Sequence, residues 1–402
     1  MMRAASSEPS STRPNSVDGK SLFMICFSIP IMEEYCRTDT LHLLCSGLIV
    51  TISGPDMKTS RLLAVAALLA VLLAICGAYF VVASRLELAR IAPALPSTAA
   101  ADALAPKVDS ARLLDDVRIL ASDEFGGRRT GSDGSRKAQA FLQSRFEALG
   151  LKPFGAAYAK PFGFTRHSIA ALITPGRPYT SAYPSAVNYV GYIPGSAGGT
   201  SAERFIVVSA HYDHLGIMEG KLYPGADDNA SGVAAMLAIA AWFKDHPPRH
   251  SIVFAAFDGE ELGLQGARAF LAALPFPKAQ LALNLNLDMV SHNDSNQIYV
   301  AGTSYTPALT PLVAQAAARS SVAVKLGHDR SPLLAGAVED WTGSSDHGPF
   351  HEAGVPFLYF GVEDHADYHA PSDTFENINQ GFFTGVANLL VDVAATLDAG
   401  LK

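Results

Sequence analysis

The sequence predicts an α/β protein: a single mixed, mostly parallel sheet flanked by helices on both faces, spanning residues 107–402 and preceded by an N-terminal transmembrane or signal segment. Three observations predict it. Short continuous apolar runs alternate with stretches of helical periodicity, as in strands joined by covering helices. The 402 residues, 49% of them hydrophobic, supply material for one large core. Acidic and histidine residues follow directly on the strand-like runs, where an open α/β sheet binds its ligands.

Apolar residues at helical spacing cover 109–121 and 135–149, and Gly150 is a helix stop for the second. Between them, Gly126-Gly127-Arg128-Arg129-Thr130-Gly131 reads as a turn-rich loop. Asn188-Tyr189-Val190-Gly191-Tyr192-Ile193-Pro194-Gly195 reads as a strand and turn. Strands are expected at 205–210, 251–257 and 281–287, with helices at 231–244 and 262–273 between them. A strand at 298–301, a helix at 307–319, a strand at 355–360 and a final helix at 381–398 complete the alternation. No internal repeat interrupts it.

Residues 62–83 are apolar and uncharged, long enough to cross a bilayer as a helix. They place a signal anchor at 57–84, with a cleaved signal peptide as the rival reading. Lys58 and Arg61 precede the run and Arg85 and Arg90 follow it, so charge does not settle orientation. Met57-Lys58-Thr59-Ser60-Arg61 has the form of an export-signal start, which makes Met57 the expected initiator and 1–56 an unstructured or non-native extension. The Ala/Pro/Ser-rich stretch 85–106 reads as a linker. A membrane-anchored, exported catalytic domain, periplasmic or extracellular, is the expectation, with secretion after signal cleavage as the alternative.

Cys26, Cys36, Cys45 and Cys76 are the only thiols, so beyond residue 76 a disulfide framework, a cysteine nucleophile and a cysteine zinc site are excluded. A net charge of −8 without a Lys/Arg block argues against a nucleic-acid partner. No G-x-S-x-G elbow supplies a serine nucleophile.

The residues after the strands are weighted toward metal ligands. The run 205–210 leads into His211-Tyr212-Asp213, 251–257 into Asp258-Gly259-Glu260-Glu261, 281–287 into Asp288, and 355–360 into a loop holding His369. Gly225-Ala226-Asp227-Asp228-Asn229-Ala230-Ser231-Gly232 stands at the mouth of a helix. Singly these are weak signals, since an acidic pair opening a helix ordinarily complements the macrodipole. Jointly, two His, two Asp and one Glu brought to one sheet edge match two metals that share a bridging carboxylate. Two Zn²⁺ ions per chain balance three carboxylates and a hydroxide, and such a pair polarises a carbonyl and generates hydroxide near neutral pH. On composition alone either Asp227 or Asp228 serves as the bridge.

These motifs resemble the two-zinc exopeptidases typified by bacterial leucyl aminopeptidase and aminopeptidase Y, which have glutamate carboxypeptidase and glutaminyl cyclase as relatives. The resemblance covers residues 109–395. It rests on His211-x-Asp213, Asp228-Asn229-Ala230-Ser231-Gly232, Glu260-Glu261-Leu262-Gly263, Leu287-Asp288-Met289, Ser345-Asp346-His347 and Tyr368-His369-x-x-x-Asp373-Thr374. It implies His211 and Asp288 on one zinc, Glu261 and His369 on the other, and Asp228 bridging; Asp227, where relatives often have a small or polar residue, is read as facing solvent, with raised metal affinity as the alternative. It further implies Glu260 as general base and acid, Asp213 as the carboxylate orienting His211, and Tyr368 as donor to the tetrahedral oxyanion. Asp346-His347 is expected as a structural turn near the site.

Hydrolysis of N-terminal residues from peptides is the activity expected, with no oligomeric state specified. A carboxypeptidase, a glutaminyl-cyclase-like enzyme and a non-catalytic receptor-like ectodomain of the same fold are the alternatives. A carboxypeptidase is expected to place Arg over the cleft, and the cleft segments read as poor in Arg. Glu363, Asp364 and Asp367 form an acidic run read as a solvated loop, or else as an attractor for a substrate ammonium group.

Overall fold

The computed structural model describes the backbone of residues 24–27, 40–45 and 48–53, residues 71, 75 and 95, and residues 105–167, 179–196, 203–329 and 339–401. The chain divides into two compact units, Met1–Ala83 and Ser84–Lys402. In the first, β1 (Met24–Phe27), β2 (Thr40–Cys45) and β3 (Leu48–Ser53) form an antiparallel sheet in the order β1-β3-β2. Part of the expected N-terminal extension therefore carries strand structure. Leu48–Ser53 is rich in β-branched residues, which favour strands. The apolar run 62–83 lies outside the described residues except for Val71 and Ile75, both helical.

The second unit opens with α1 (Ser110–Leu120) and α2 (Asp133–Leu149). Asp109 caps α1 by accepting from the Arg112 amide, and Ser132 caps α2 through the Ser135 amide. Helix α2 ends in a left-handed residue at Gly150, as its sequence predicts. Strands β4 (Lys152–Pro153), β5 (Ala159–His167), β6 (Thr180–Ile193), β7 (Phe205–His211), β8 (Gly216–Met218) and β9 (Lys221–Tyr223) follow. Then come α3 (Gly232–Asp245), β10 (Ser251–Phe257), α4 (Gln265–Ala272), β11 (Leu281–Leu287) and β12 (Gln297–Ala301). The unit closes with α5 (Thr310–Ala317), β13 (Ala323–Leu326), α6 (His347–Glu352), β14 (Phe357–Gly361) and α7 (Gln380–Gly400).

The nine-stranded sheet runs β13-β12-β14-β11-β7-β10-β6-β4, with β5 also paired to β6. Its centre, β10-β7-β11-β14, is parallel, whereas β6 pairs β10 antiparallel and β12 pairs β14 antiparallel. The sheet is mixed, as the sequence predicts, but its parallel pairings are confined to the centre and to β12-β13 and are matched in number by antiparallel ones, so it is not mostly parallel. Every residue of β7 and β10 is buried, because both faces are covered. Strand alternation divides the core: Ile206, Val208 and Ala210 join Leu283, Leu285 and helices α1, α3 and α7 on one face. Phe205, Val207, Val253 and Phe257 join Phe270 of α4 and Phe350 of α6 on the other. Among the described residues α7 alone is long and apolar enough to cross a membrane, and 72% of its most apolar window is buried in this core.

Two boundaries moved. Residues 262–264, expected to begin a helix, form a turn, and α4 starts only at Gln265 after Leu264 takes a left-handed φ of 60°. The turn lets consecutive glutamates enter the same site. Strand β6 extends well N-terminal to Asn188, where its alternately exposed residues pair with β5 at the sheet margin.

Candidate metal centre

The three parallel strands β7, β10 and β11 end at one rim, and the predicted ligands meet there. His211 is the last residue of β7, and its Nε2 lies 3.1 Å from Asp288 Oδ1 and 3.4 Å from Asp228 Oδ1. His369, on the loop after β14, places Nε2 3.1 Å from Asp228 Oδ2 and 3.4 Å from Glu261 Oε2. Each oxygen of Asp228 thus faces a different set of donors. The sets are His211, Asp228 and Asp288 on one side, and His214, Asp228, Glu261 and His369 on the other.

The Asp-Asn-x-Ser-Gly frame fixes Asp228 between them. Asn229 donates to Leu287 O at 2.9 Å and accepts from the Gly232 amide at 2.8 Å, tying the segment to the end of β11. A Cβ on Gly232 would meet Asn229 Oδ1 and Leu287 O at 2.3 Å, so the approach requires glycine. Ser231 donates to Asp227 O and accepts from the Val290 amide. Asp373, from the Tyr368-His369-x-x-x-Asp373 motif, accepts the amides of Asp227 and Asp228 at 2.8 and 3.1 Å.

Below this segment Arg128 is fully buried and donates to the carbonyls of Leu120, Tyr212, Pro224 and Gly225 at 2.6–2.8 Å. It thereby joins the backbone beside His211 to the backbone leading to Asp228. Burial lowers its pKa to about 10, against the opposing pull of Asp373, Asp228, Asp213 and Glu261. Gly225 itself has φ 64°, and a Cβ there would press on Asp228 O and the His214 ring.

Three expectations need correction. Asp227 is buried: its Oδ1 accepts from the Ser291 amide and hydroxyl, both at 2.7 Å, and its Oδ2 lies 3.0 Å from His365 Nε2. Asp227 lies five residues before α3 begins at Gly232, and its side chain is captured there by the turn after β11. Asp213 does not hold His211 through its carboxylate. His211 Nδ1 is 3.1 Å from the Asp213 carbonyl and 3.8 Å from its carboxylate, which accepts the Glu260 amide at 3.1 Å instead. The acidic run is solvated as expected at Glu363 and Asp364, which are exposed, while Asp367 is half-buried 3.8 Å from His292. Finally, Arg129 and Arg166 line a pocket with Asp213, His214 and Glu261, so the cleft is not poor in arginine.

His214 was not among the residues singled out from sequence. Its Nδ1 lies 2.7 Å from Glu261 Oε1 and 3.6 Å from Asp228 Oδ2, and the ring is fully buried. The signal was present as a second histidine three places after His211. Asp346, expected as part of a turn, directly precedes α6 and is buried with neither carboxylate oxygen hydrogen-bonded. Burial raises its pKa to about 7, with His211 opposing and Asp288 adding.

The donor set has the chemistry of a cation site. Burial works against charge on His369, yet Asp228 and Glu261 raise its pKa to about 10. His211 is likewise lifted against burial by Asp288, Glu260 and Asp228. Glu261 sits well below the carboxylate range because contacts from His214 and His369 outweigh its burial. The surrounding carboxylates thus draw positive charge onto His211 and His369, and bound divalent metal would meet the same demand with neutral rings. Glu260, beside these groups, is pushed well up by burial, with His211 pulling down and Asp288 and Asp346 pushing further up. Tyr368 is half-buried, stacks on His369 at 4.0 Å, and is held neutral by burial and by Asp228 and Asp288.

Strands delivering carboxylates and imidazoles to one rim, with one carboxylate shared by two donor sets, define an α/β protein with a candidate metal centre. Residues 188–394 match the family described as Peptidase family M28, and the chain belongs to that family. It is 34% identical over 184 residues to aminopeptidase YwaD of Bacillus subtilis (strain 168), covering 44% of this chain and 37% of that protein. It is 27% identical over 285 residues to a probable zinc metalloprotease of Pyrenophora tritici-repentis, covering 63% of each. The chain thus spans between 37% and 63% of the length of these curated relatives.

In fold it is similar to BSAP, a zinc aminopeptidase from Bacillus subtilis. The TM-score is 0.55 at 18% identity, over 73% of this chain and 95% of that one. It is also similar to a Porphyromonas gingivalis glutaminyl cyclase, with TM-score 0.55 and 17% identity over 72% and 99%.

Proposed function

We propose that the chain is a zinc-dependent exopeptidase, an aminopeptidase that removes N-terminal residues from peptides. The observation that carries the proposal is Asp228, whose Oδ1 faces His211 and whose Oδ2 faces His369. A one-metal centre of the glutaminyl-cyclase kind would not need both sets. Two zinc ions per chain would be held by His211 and Asp288, by Glu261 and His369, and by Asp228 between them. Zinc bound there supplies Lewis acidity for the scissile carbonyl and a water acidic enough to ionise near neutral pH.

The chain's own groups do the rest. Glu260 takes the proton of the attacking water and returns it to the leaving amine. Its backbone amide is anchored on Asp213, so the carboxyl stands beside His211 and Asp288. Tyr368, kept in the neutral form by burial and by the surrounding carboxylates, donates its hydroxyl hydrogen to the developing oxyanion. His214 holds Glu261 through Oε1, while His369 faces its other oxygen, Oε2.

Arg129 and Arg166 beside His214 and Glu261 favour a second reading, a carboxypeptidase binding the substrate carboxylate. A panel of amino-acid arylamides and N-blocked dipeptides separates the two, each assayed before and after chelation. Chelator-sensitive hydrolysis of free-amine arylamides supports the aminopeptidase. Cleavage of N-blocked dipeptides alone supports the carboxypeptidase, and a zinc-loaded protein inert toward both sets refutes an exopeptidase. We further propose, from the apolar run 62–83, that the domain is exported and membrane-anchored.

A further inference from the structure

A cavity of about 130 Å³ opens on the Glu261 side of the Asp228 sets, and two arginines on separate elements line it. Arg129 follows the buried Arg128, and its stem lies along Gly216, where a Cβ would come within 2.6 Å of Arg129 Cβ and 3.3 Å of its Cδ. Arg166 comes from the outer half of β5. Phe164, two residues earlier, stacks on Tyr183 at 4.9 Å and packs on Gly259, where a Cβ would meet its ring at 3.3 Å. Strand alternation sets Arg166 on the same face as Phe164, the face turned to Gly259 and Glu261. The β5-β6 ribbon is thus one wall of the cleft beside the general base, Glu260.

The two acids that line the cavity are engaged elsewhere. Asp213 accepts the Glu260 amide at 3.1 Å, and Glu261 lies 2.7 Å from His214 and 3.4 Å from His369. Among the described residues no ion pair or side-chain hydrogen bond takes up the Arg129 or Arg166 guanidinium. Both arginines are exposed, so their charge is open to a ligand entering from solvent. Two guanidinium forks at one small opening suit a planar carboxylate, which accepts paired N–H donors. The volume is well below the roughly 300–1,000 Å³ of a pocket for a whole small-molecule ligand, so it takes a single side chain.

We propose that Arg129 and Arg166 bind the side-chain carboxylate of the residue removed, so that the enzyme prefers peptides with Glu or Asp at the N-terminus. The proposal rests on the aminopeptidase reading above and names its substrate class. A carboxylate one residue beyond the scissile bond, as in a dipeptide, presents the same chemistry, and the assay tells the two sources apart.

The test compares kcat/KM of the zinc-loaded full chain for Glu-, Gln- and Leu-arylamides, which differ at the side chain alone, and for Leu-Ala against Leu-Ala amide. The expected Glu-over-Gln ratio is at least about tenfold, the lower end for one charge-assisted hydrogen bond. Arg166→Gln should cut that ratio by about tenfold, and Arg129→Gln is the second variant should the first fail to fold. Arg166→Glu should turn the preference toward Lys-arylamide, a change that a merely structural arginine would not produce. Chelator-sensitive hydrolysis of Leu-arylamide with a Glu-over-Gln ratio near one overturns this proposal and leaves the aminopeptidase standing. A ratio unaltered in the folded variants, or a carboxylate preference seen only with Leu-Ala, overturns it in the same way. Failure to hydrolyse any arylamide overturns both readings.

Discussion

Replacing Arg128 with Met tests whether one buried guanidinium holds the site's backbone together. Its four hydrogen bonds, to Leu120, Tyr212, Pro224 and Gly225, run at 2.6–2.8 Å in a fully buried setting. Leaving a buried carbonyl without its donor costs about 1–3 kcal/mol, or roughly 8 kcal/mol for four. Burial of the cation offsets part of this. The fall in its pKa from 12.5 to about 10 is a penalty on the charged form that methionine does not carry, roughly 3 kcal/mol. The expected net loss is about 5 kcal/mol, a large share of a typical domain's stability.

With a urea m-value of about 3 kcal/mol/M, the unfolding midpoint should fall by roughly 1.7 M. Arg128→Lys keeps the charge but not the planar fork, so it should fall less, by about half. Circular dichroism against urea reads both. Since Tyr212 and Gly225 adjoin His211 and Asp228, folded Arg128→Lys should also bind zinc more weakly. A midpoint for Arg128→Met within about 0.3 M of wild type would refute the reasoning, because no compensating donor could then be missing.

Three further outcomes are expected. Asp228→Asn removes a charge shared by both donor sets and should lower arylamide kcat/KM at least about a hundredfold, with zinc content measured alongside; unchanged turnover would remove Asp228 from the centre. His214→Ala leaves Glu261 without its 2.7 Å partner and should weaken zinc binding by about 10–100-fold, read by competition with a chromophoric chelator. In the metal-free protein Asp346 has a folded pKa of about 7 against an unfolded 3.8, so the folded state holds the proton more tightly. Its contribution is complete below about pH 4 and is lost as pH rises toward 7, by a few kcal/mol. The stability of chelated wild type relative to Asp346→Asn should therefore decline across pH 4–7 in urea titrations, and a flat difference would refute the assignment.

Much of the frame was legible in local pattern. Strands β10 and β11 fall where their apolar runs predict them, because strands buried on both faces are written as uninterrupted apolar sequence. Strand β6 was harder: its outer half is alternately exposed and gains its order from pairing with β5. Helix α4 began late because the Glu260-Glu261 turn serves the site at the expense of helical continuity.

The sequence by itself determined that imidazoles and carboxylates follow the central strands, that no thiol competes with them, and that Asp228 sits in a frame of small and amide side chains. Those facts are local, and spacing along the chain carries them. Only the tertiary structure decided which partners each atom meets. It buried Asp227 against Ser291, turned Asp213 toward the Glu260 amide, brought His214 onto Glu261 and drove Arg128 beneath them all. The parallel order β10-β7-β11-β14 sets those encounters by stacking segments remote in sequence at one rim. Side-chain hydrogen bonds over a few ångströms depend on that stacking, which no periodicity encodes.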